Sequence, residues 1–355
     1  MLFLAALVIG CSPSTDQNEP EKFSFDSEGN VTLTPPPAGE GFQVELGPWD
    51  VPYAIDGQQR DYYITMPNDE DFYVGKIEIA MNEGTHHMNF FRTKVQLAED
   101  NPMRRIGEIS FTNNGKRTTE TVAFEDSSFY TTSIWNESDL LIEAQISGKL
   151  FTWDLPTLPD GKQTVIHLKP REPMILQTHY TNFVNQKATN NKGKVLVNVW
   201  KAKDKGNGFE KSSMMFARNQ KIVIPPRSEV TFSKDCFFSS VPRPVYLLGM
   251  TGHFHARGKT FTVDKMRIDS VTLEPKLVQE KIYESNSWSE PPFTPFSNPI
   301  ELKEYEYIRY TCSYVNPGDL TYVFGPKTEI SEHMNLFCWF SPSYLDGSTI
   351  YDVTN

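Results

Sequence analysis

The seven histidines of this chain are concentrated in short segments whose spacing suits metal binding. His86 and His87 are adjacent, His179 follows alone, and His253 and His255 are two residues apart. Residues two apart on a β-strand face the same side of it, so His253 and His255 can offer two imidazoles to one ion. The sequence therefore predicts a metal site that includes this pair, with Phe254 packed on the opposite face.

The earlier histidines predict a second group of ligands. Adjacent residues face opposite sides of a regular strand, so His86 and His87 converge only at a strand end, at a bulge, or through different ring nitrogens. Gly84, just before them, favours such a break. His179 lies in a strand-like segment of the same half and can supply a third nitrogen. Three imidazoles suit copper and zinc equally well, so this group leaves the metal open.

Met334 bears on the choice of metal. If its thioether joins His253 and His255, the site favours Cu(I), because zinc rarely accepts this soft ligand. His333 precedes it and would point to the opposite face of a strand, where it is a candidate supporting or alternative ligand. His167 lies outside these groups and is interpreted as structural. Each residue alone is typical of an ordinary core, but together they predict a metal site, with copper preferred.

The segments that must position these residues alternate apolar and polar side chains with a period of two. Examples are residues 76–81, 194–200, 260–264 and 305–310. Many short strands with hardly any amphipathic helix predict an all-β chain of sandwiches or jelly rolls. A chain of 355 residues is longer than a domain with one hydrophobic core usually is, so we expect two domains. The polar stretch 201–208 is the best candidate for the junction between them. We therefore expect an N-terminal β-sandwich over 38–204 and a C-terminal one over 205–355.

Charge and missing motifs exclude several classes of function. The chain has 34 Lys plus Arg against 45 Asp plus Glu, a net charge of −11, so no nucleic-acid partner is predicted. The sequence has no Gly-x-Ser-x-Gly elbow, phosphate-binding glycine loop, dinucleotide fingerprint or Cys-x-x-Cys pair. A pair of catalytic carboxylates stays open, because sequence alone cannot pair them across a sandwich.

The N-terminal sequence predicts a location outside the cytoplasm. Residues 1–10 are apolar but too short to span a bilayer as a helix. They end in Val-Ile-Gly before Cys11, which resembles the bacterial lipobox, so residues 1–10 are predicted to be a lipoprotein signal peptide and Cys11 the lipidation site. Residues 11–37 would be a polar tether. We expect a lipid-anchored protein of the bacterial cell envelope, on its periplasmic or extracellular face, whose contact with the membrane is this lipid.

The other three cysteines are Cys236, Cys312 and Cys338. An oxidising compartment permits disulfides, but an odd number allows at most one among them. The sequence favours a disulfide between Cys312 and Cys338 only weakly.

At these residues the chain resembles the copper type II, ascorbate-dependent monooxygenases, the family of peptidylglycine alpha-hydroxylating monooxygenase and dopamine beta-monooxygenase. The resemblance covers about residues 38–345 and includes a segment near residues 39–52. Four ordered motifs carry it: His-His-Met at 86–88, Gln-x-His-Tyr at 177–180, His-x-His-x-x-Gly at 253–258 and Glu-x-Met at 332–334.

The resemblance implies two jelly-roll β-sandwich domains in tandem, which face a shared solvent-filled cleft and hold one copper ion each. His86, His87 and His179 would hold the copper that transfers electrons. The catalytic copper would be held by His253, His255 and Met334. The implied activity is hydroxylation of an activated C–H bond of a small organic substrate, with O2 and a reductant such as ascorbate.

Two residues depart from the family pattern. Thr251 replaces an arginine that binds the substrate carboxylate in peptide-amidating members, so a glycine-ended peptide is a poor substrate. Asn335 replaces a cysteine, so the disulfide common at that position is lost or replaced. Thr251, Asn335 and the loop 285–293 are hypothesised to shape a substrate cleft.

Two other functions remain open. Ligands can persist without turnover, so the chain could be a non-catalytic copper-binding or copper-buffering lipoprotein. It could also be a carbohydrate- or partner-binding sandwich protein whose histidines are incidental, which would bind no stoichiometric copper.

Overall fold

The computed structural model of the chain describes residues 23–51, 58–127, 137–180, 192–325 and 330–354. Every regular element whose two ends lie within these residues is a β-strand, so the predicted all-β class is confirmed. The strands are β1 Phe23–Phe25, β2 Val31–Leu33, β3 Gly41–Asp50, β4 Gln58–Thr65, β5 Phe72–Met81, β6 Thr85–Thr93, β7 Arg104–Asn113, β8 Lys116–Ser127, β9 Ser138–Ala144, β10 Leu150–Asp154, β11 Gln163–Leu168, β12 Pro173–Tyr180, β13 Lys192–Lys201, β14 Phe209–Lys211, β15 Ser213–Asn219, β16 Val223–Ile224, β17 Ser228–Cys236, β18 Val245–His253, β19 Gly258–Ile268, β20 Pro275–Ser285, β21 Thr294–Leu302, β22 Glu306–Asn316, β23 Tyr322–Val323, β24 Asn335–Ser341 and β25 Ile350–Thr354.

Strands β3 to β14 form one large sheet. Its order is β14-β11-β5-β13-β3-β7-β8-β4-β12-β6-β9, with β10 paired to β5. Nearly every residue of β12 and β13 is buried, so side chains on both faces of these strands are covered. Such strands read as continuous apolar runs rather than as a clean alternation. Two of the strands that carry the candidate ligands, β6 and β12, are neighbours in this sheet.

Strands β15 to β25 form the second half. A five-stranded sheet in the order β21-β18-β24-β15-β25 faces a four-stranded sheet in the order β17-β22-β19-β20, and β16 pairs with β23. In β17 exposure alternates residue by residue, because one face is solvated and the other contacts the core. The change from the large sheet to these sheets falls between Lys211 and Ser213. The jelly-roll description of the two halves stays a prediction.

The two halves share a hydrophobic core. One buried cluster contains most large apolar residues of the first half together with Phe216, Phe337 and Trp339 of the second. The Trp339 ring contacts the Trp153 ring at 5.3 Å between centroids, and its indole N–H donates to the Leu141 carbonyl at 2.9 Å. The ends of β6, β12 and β18 that carry the histidines are therefore held near one another.

Part of the predicted tether is folded. Residues 23–33 form the antiparallel hairpin β1–β2, because Val31 and Leu33 bury their side chains against Ala80 and Leu196. Residues 1–22, with the predicted signal peptide and Cys11, lie outside the described residues. A search of the described residues for a helix long and apolar enough to cross a membrane finds none.

The predicted disulfide between Cys312 and Cys338 is wrong in this structure. Cys236, Cys312 and Cys338 are all buried free thiols. Cys312 lies on β22 and Cys338 on β24, so the two side chains come from opposing sheets, and each thiol contacts the carbonyl of the next residue. Burial raises the pKa of all three thiols, which keeps them protonated and unreactive.

These thiols yield a first prediction. An alkylating reagent added to the native protein is expected to leave Cys236, Cys312 and Cys338 unmodified, because burial blocks access and suppresses the thiolate. After denaturation without reductant, all three are expected to be alkylated, as measured by peptide mass spectrometry. Two cysteines that react only after reduction would show that a disulfide exists.

Candidate metal centre

A bulge explains how His86 and His87 reach the same region. His87 pairs with His179 of β12, but the next paired residues are Tyr180 and Thr85, so His86 is an extra residue on β6. Gly84 has a φ of +92°, which favours glycine and turns the chain just before the strand. The two adjacent rings consequently lie 5.2 Å apart, as the sequence led us to expect from a break at this position.

His87 and His179 form a close pair. Nε2 of His87 lies 3.2 Å from Nδ1 of His179. Two nitrogens bound tetrahedrally to one ion at about 2.0–2.1 Å would lie roughly 3.3 Å apart. Asn89 supports the pair, since its amide contacts Nδ1 of His87 at 3.4 Å and donates to Oε1 of Gln177 at 2.8 Å. The spacing of His87 and His179 suits chelation without large movement.

His253 and His255 lie at the end of β18. The strand ends at His253, so His255 is placed by the loop that follows rather than by strand alternation. Their rings are 5.4 Å apart, and both are buried. Phe254 points the other way, into a second hydrophobic core formed by residues of the second half, where its ring stacks on Phe261. The predicted arrangement, with the two histidines on one side and Phe254 on the opposite side, is therefore present.

Hydrogen bonds orient both rings. Nδ1 of His253 lies 2.6 Å from Oε1 of Gln145, and Nδ1 of His255 lies 3.0 Å from the Ser331 carbonyl oxygen. An oxygen acceptor requires that Nδ1 carry the proton, so Nε2 keeps its lone pair. Glu332 also accepts from the backbone N–H of His255 at 3.0 Å. Such contacts fix the ring and tautomer that a metal ligand needs.

His333 lies beside His253 and His255 rather than on an opposite face. Its ring is 4.3 Å from that of His255 and 5.0 Å from that of His253. The expectation of an opposite face assumed a strand, but β24 begins only at Asn335. His333 is therefore close to both of these predicted ligands.

Met334 and His167 have different surroundings. The Met334 side chain is fully buried in the second core, and its sulfur accepts from the Asn219 amide at 3.6 Å. His167 lies on β11, where Nε2 is 2.7 Å from Oδ1 of Asp71 and the ring stacks on Tyr73. The contacts of His167 agree with its structural interpretation.

The histidines of the two halves meet. The rings of His86 and His253 lie 5.2 Å apart, and those of His86 and His255 lie 6.4 Å apart. One ring nitrogen from each of these three residues lies within 4.8 Å of the others. The resemblance implied two sites across a solvent-filled cleft, whereas here the histidines of both groups and His333 lie in one buried cluster. Its six members are His86, His87, His179, His253, His255 and His333, and Met334 is not among them.

Burial keeps this cluster neutral. It lowers the pKa of His86 to about 4 and those of His179 and His255 to about 3. The pKa values of the other three members also lie well below the usual range, first through desolvation and then through the neighbouring imidazoles. Neutral imidazoles present lone pairs, so at neutral pH protons do not compete for the cluster.

This burial predicts acid sensitivity. The folded pKa of His86 is near 4, below the value of 6.5 for an exposed imidazole. A depressed pKa stabilises the fold above the unfolded value, and that stability is lost as the pH falls towards the folded value. For the metal-free protein we expect the urea concentration at the unfolding midpoint to decrease as the pH is lowered from about 7 to about 5. The reason is that the unfolded state binds more protons than the folded state in this range. His86→Gln should reduce this fall, and an unchanged pH dependence in the variant would contradict the assignment.

Sequence reasoning missed several polar partners. Gln145, just after β9, donates to the Gly252 carbonyl at 3.1 Å and contacts Thr251 at 3.3 Å. Glu143 is buried on β9, and desolvation raises its pKa well above the usual range. These residues share no motif with the histidines, and only the packing of the two halves brings them there. No spacing pattern in the sequence indicates that Gln145 contacts His253.

The residues hypothesised to shape a substrate cleft are packed in this structure. Thr251 and Asn335 are both buried. Phe293, at the end of the loop 285–293, packs its ring against Trp153 and Trp339. This loop therefore belongs to the contact between the two halves, and its role in substrate choice stays a hypothesis.

Comparisons with known proteins do not assign a family. No family model matches the chain, and no curated protein matches it significantly. A structure of infectious bursal disease virus, Gx strain, is 9% identical over 90% of this chain and 62% of that chain, with a TM-score of 0.22. An insecticidal delta-endotoxin from Bacillus thuringiensis is 10% identical over 77% of this chain and 54% of that chain, with a TM-score of 0.18. At these TM-scores the likenesses carry no argument.

Proposed function

We propose that the histidine cluster binds copper and that the protein is a copper-dependent monooxygenase. The observation that carries the proposal is the convergence of six buried, neutral imidazoles from motifs far apart in the chain. Imidazole suits copper, and first-row divalent ions bind nitrogen sites most tightly when the ion is Cu²⁺. The resemblance then supplies the reaction class, with ascorbate as reductant and two copper ions per chain.

The donor atoms fit a transition-metal ion. Nε2 of His86 is buried and has no hydrogen-bond partner among the described residues. An unsatisfied buried nitrogen is costly in an apolar core and is accounted for if a metal occupies its lone pair. His253 and His255 likewise aim Nε2 away from the oxygens that hold Nδ1.

Two amides can set the tautomer of His87. Oδ1 of Asn89 and Nε2 of Gln177 are buried and have no partner in the part of the chain that is described. Rotating both amides by half a turn keeps the bond between Asn89 and Gln177 and gives Nδ1 of His87 an acceptor. Nε2 of His87 then has its lone pair available for a metal beside His179.

Copper, when bound, would supply electron transfer and the activation of O2 for C–H hydroxylation. The protein would orient the imidazoles, hold them neutral and exclude water from the site. Met334 is the proposed thioether ligand of the catalytic copper, with Asn219 placing its sulfur.

The proposed partners are a small organic substrate and O2. Lipid attachment through Cys11, and with it a position in the bacterial cell envelope, remains part of the proposal.

Burial of the cluster favours one alternative function. All six histidines are at most 9% exposed, a degree of enclosure that also suits a protein that binds or buffers copper without turnover. The two functions differ in whether an organic substrate accelerates O2 consumption.

Oxygen uptake separates these functions. We expect the copper-loaded protein with ascorbate to consume O2 faster when a suitable small organic substrate is added, and to place an atom from labelled O2 in the product. His167→Gln serves as a matched control, since it changes a buried histidine outside the cluster. Slow ascorbate oxidation that no substrate in a broad panel accelerates would favour the buffering protein.

A further inference from the structure

We infer that His86, from the first half, and His253 and His255, from the second half, form one three-nitrogen metal site that joins the halves. The inference rests on the metal-binding part of the proposed function and needs none of its oxygenase chemistry. It differs from the ligand sets that the resemblance implies, which place His86 only with His87 and His179.

The position of the donor atoms carries the inference. One nitrogen from each of the three rings lies within 4.8 Å of the others, and they are the only group of three or more His, Cys, Asp or Glu of this kind within the described residues. Tetrahedral binding would bring them to roughly 3.3 Å from one another. From separations of at most 4.8 Å, that contraction moves each nitrogen by no more than about 1 Å.

The surroundings of the rings also cross between the halves. Gln145 belongs to the first half, yet its Oε1 holds Nδ1 of His253 at 2.6 Å, and its Nε2 donates to the Gly252 carbonyl at 3.1 Å. The second contact fixes which end of the amide is oxygen. Nδ1 of His253 is thereby the donor, and Nε2 is left for the metal. A first-half amide therefore orients a second-half ligand, as expected for a site built across both halves.

The remaining first-half histidines do not need His86. Nε2 of His87 and Nδ1 of His179 already lie 3.2 Å apart, close to the spacing of two ligand nitrogens on one ion. The cluster can therefore be divided into a joining site, made of His86, His253 and His255, and a separate pair, made of His87 and His179, with His333 beside His255. Because the joining site takes ligands from both halves, its ion should stabilise their association.

The test uses Zn²⁺ as a redox-silent probe on a variant without the separate pair, H87Q/H179Q. In this background we expect one Zn²⁺ per chain, and adding His86→Gln should weaken its binding at least tenfold, because losing only an outer partner of a ligand already costs about 10- to 100-fold. Adding His167→Gln instead should leave the affinity unchanged. Equal zinc affinity with and without His86→Gln would overturn the inference, while leaving copper binding by the wild type intact.

A second measurement covers the case in which H87Q/H179Q fails to fold. In the wild-type background, the rise in Tm caused by Zn²⁺ is compared for His86→Gln, His255→Gln and the double variant. A shared site predicts that the double variant loses no more of the rise than the worse single variant. Losses that add would show separate sites and overturn the inference. A wild type that binds no Zn²⁺ or copper would overturn the inference and the proposed function together.

Discussion

Replacing both His253 and His255 with glutamine is expected to remove one of two bound copper ions and to lower substrate-dependent O2 uptake at least 100-fold. Both rings are buried and point Nε2 away from the oxygens that hold Nδ1, so no neighbouring solvent can replace two lost nitrogens. Loss of an outer partner of a metal ligand alone costs about 10- to 100-fold, and loss of ligands costs at least as much. Copper per chain and initial rates of O2 uptake are the measurements.

The control for this double variant is His167→Gln, which should keep both copper ions and the full rate. Circular dichroism and the urea midpoint establish that each variant is folded. A folded H253Q/H255Q variant with two copper ions and an unchanged rate would contradict the assignment of this pair.

Trp339→Ala is expected to lower the free energy of unfolding by about 3–5 kcal/mol, the usual cost of removing a buried aromatic side chain. Trp339 is fully buried, contacts the rings of Trp153 and Phe293, and donates to the Leu141 carbonyl across the two halves. Since the same contact holds the histidine-bearing strand ends together, zinc affinity should fall as well. Urea unfolding and zinc titration measure the two effects.

Leu345→Ala is the matched control, because that side chain is 70% exposed and should change stability by less than about 0.5 kcal/mol. Trp339→Phe keeps an aromatic ring but loses the indole donor, and should fall between the two. An alanine variant as stable as the wild type would show that the core does not hold the halves together.

The sequence predicted the class of the fold and the break at His86. Alternation of apolar and polar residues is the signature of strands with one solvated face, and β17 follows it. The adjacency of His86 and His87 required an irregularity if both were ligands, and the structure has a bulge there. These features are local, so a short window of sequence contains them.

Long-range packing could not be predicted in the same way. The meeting of His86 with His253 and the contact of Gln145 with His253 depend on how two halves pack, which no local pattern encodes. The expected disulfide was wrong for a related reason, since Cys312 and Cys338 come from opposing sheets whose spacing the sequence does not state. His333 was misplaced because the start of β24 could not be located to within two residues.

The most direct test of the central claim is copper per chain, measured by mass spectrometry of the metal after reconstitution and desalting. Wild type and His167→Gln should each retain two copper ions, H87Q/H179Q and H253Q/H255Q one each, and the variant with all four changes none. A wild type that retains no copper, or four changes that leave its copper content unaltered, would contradict the claim that these histidines are a copper site.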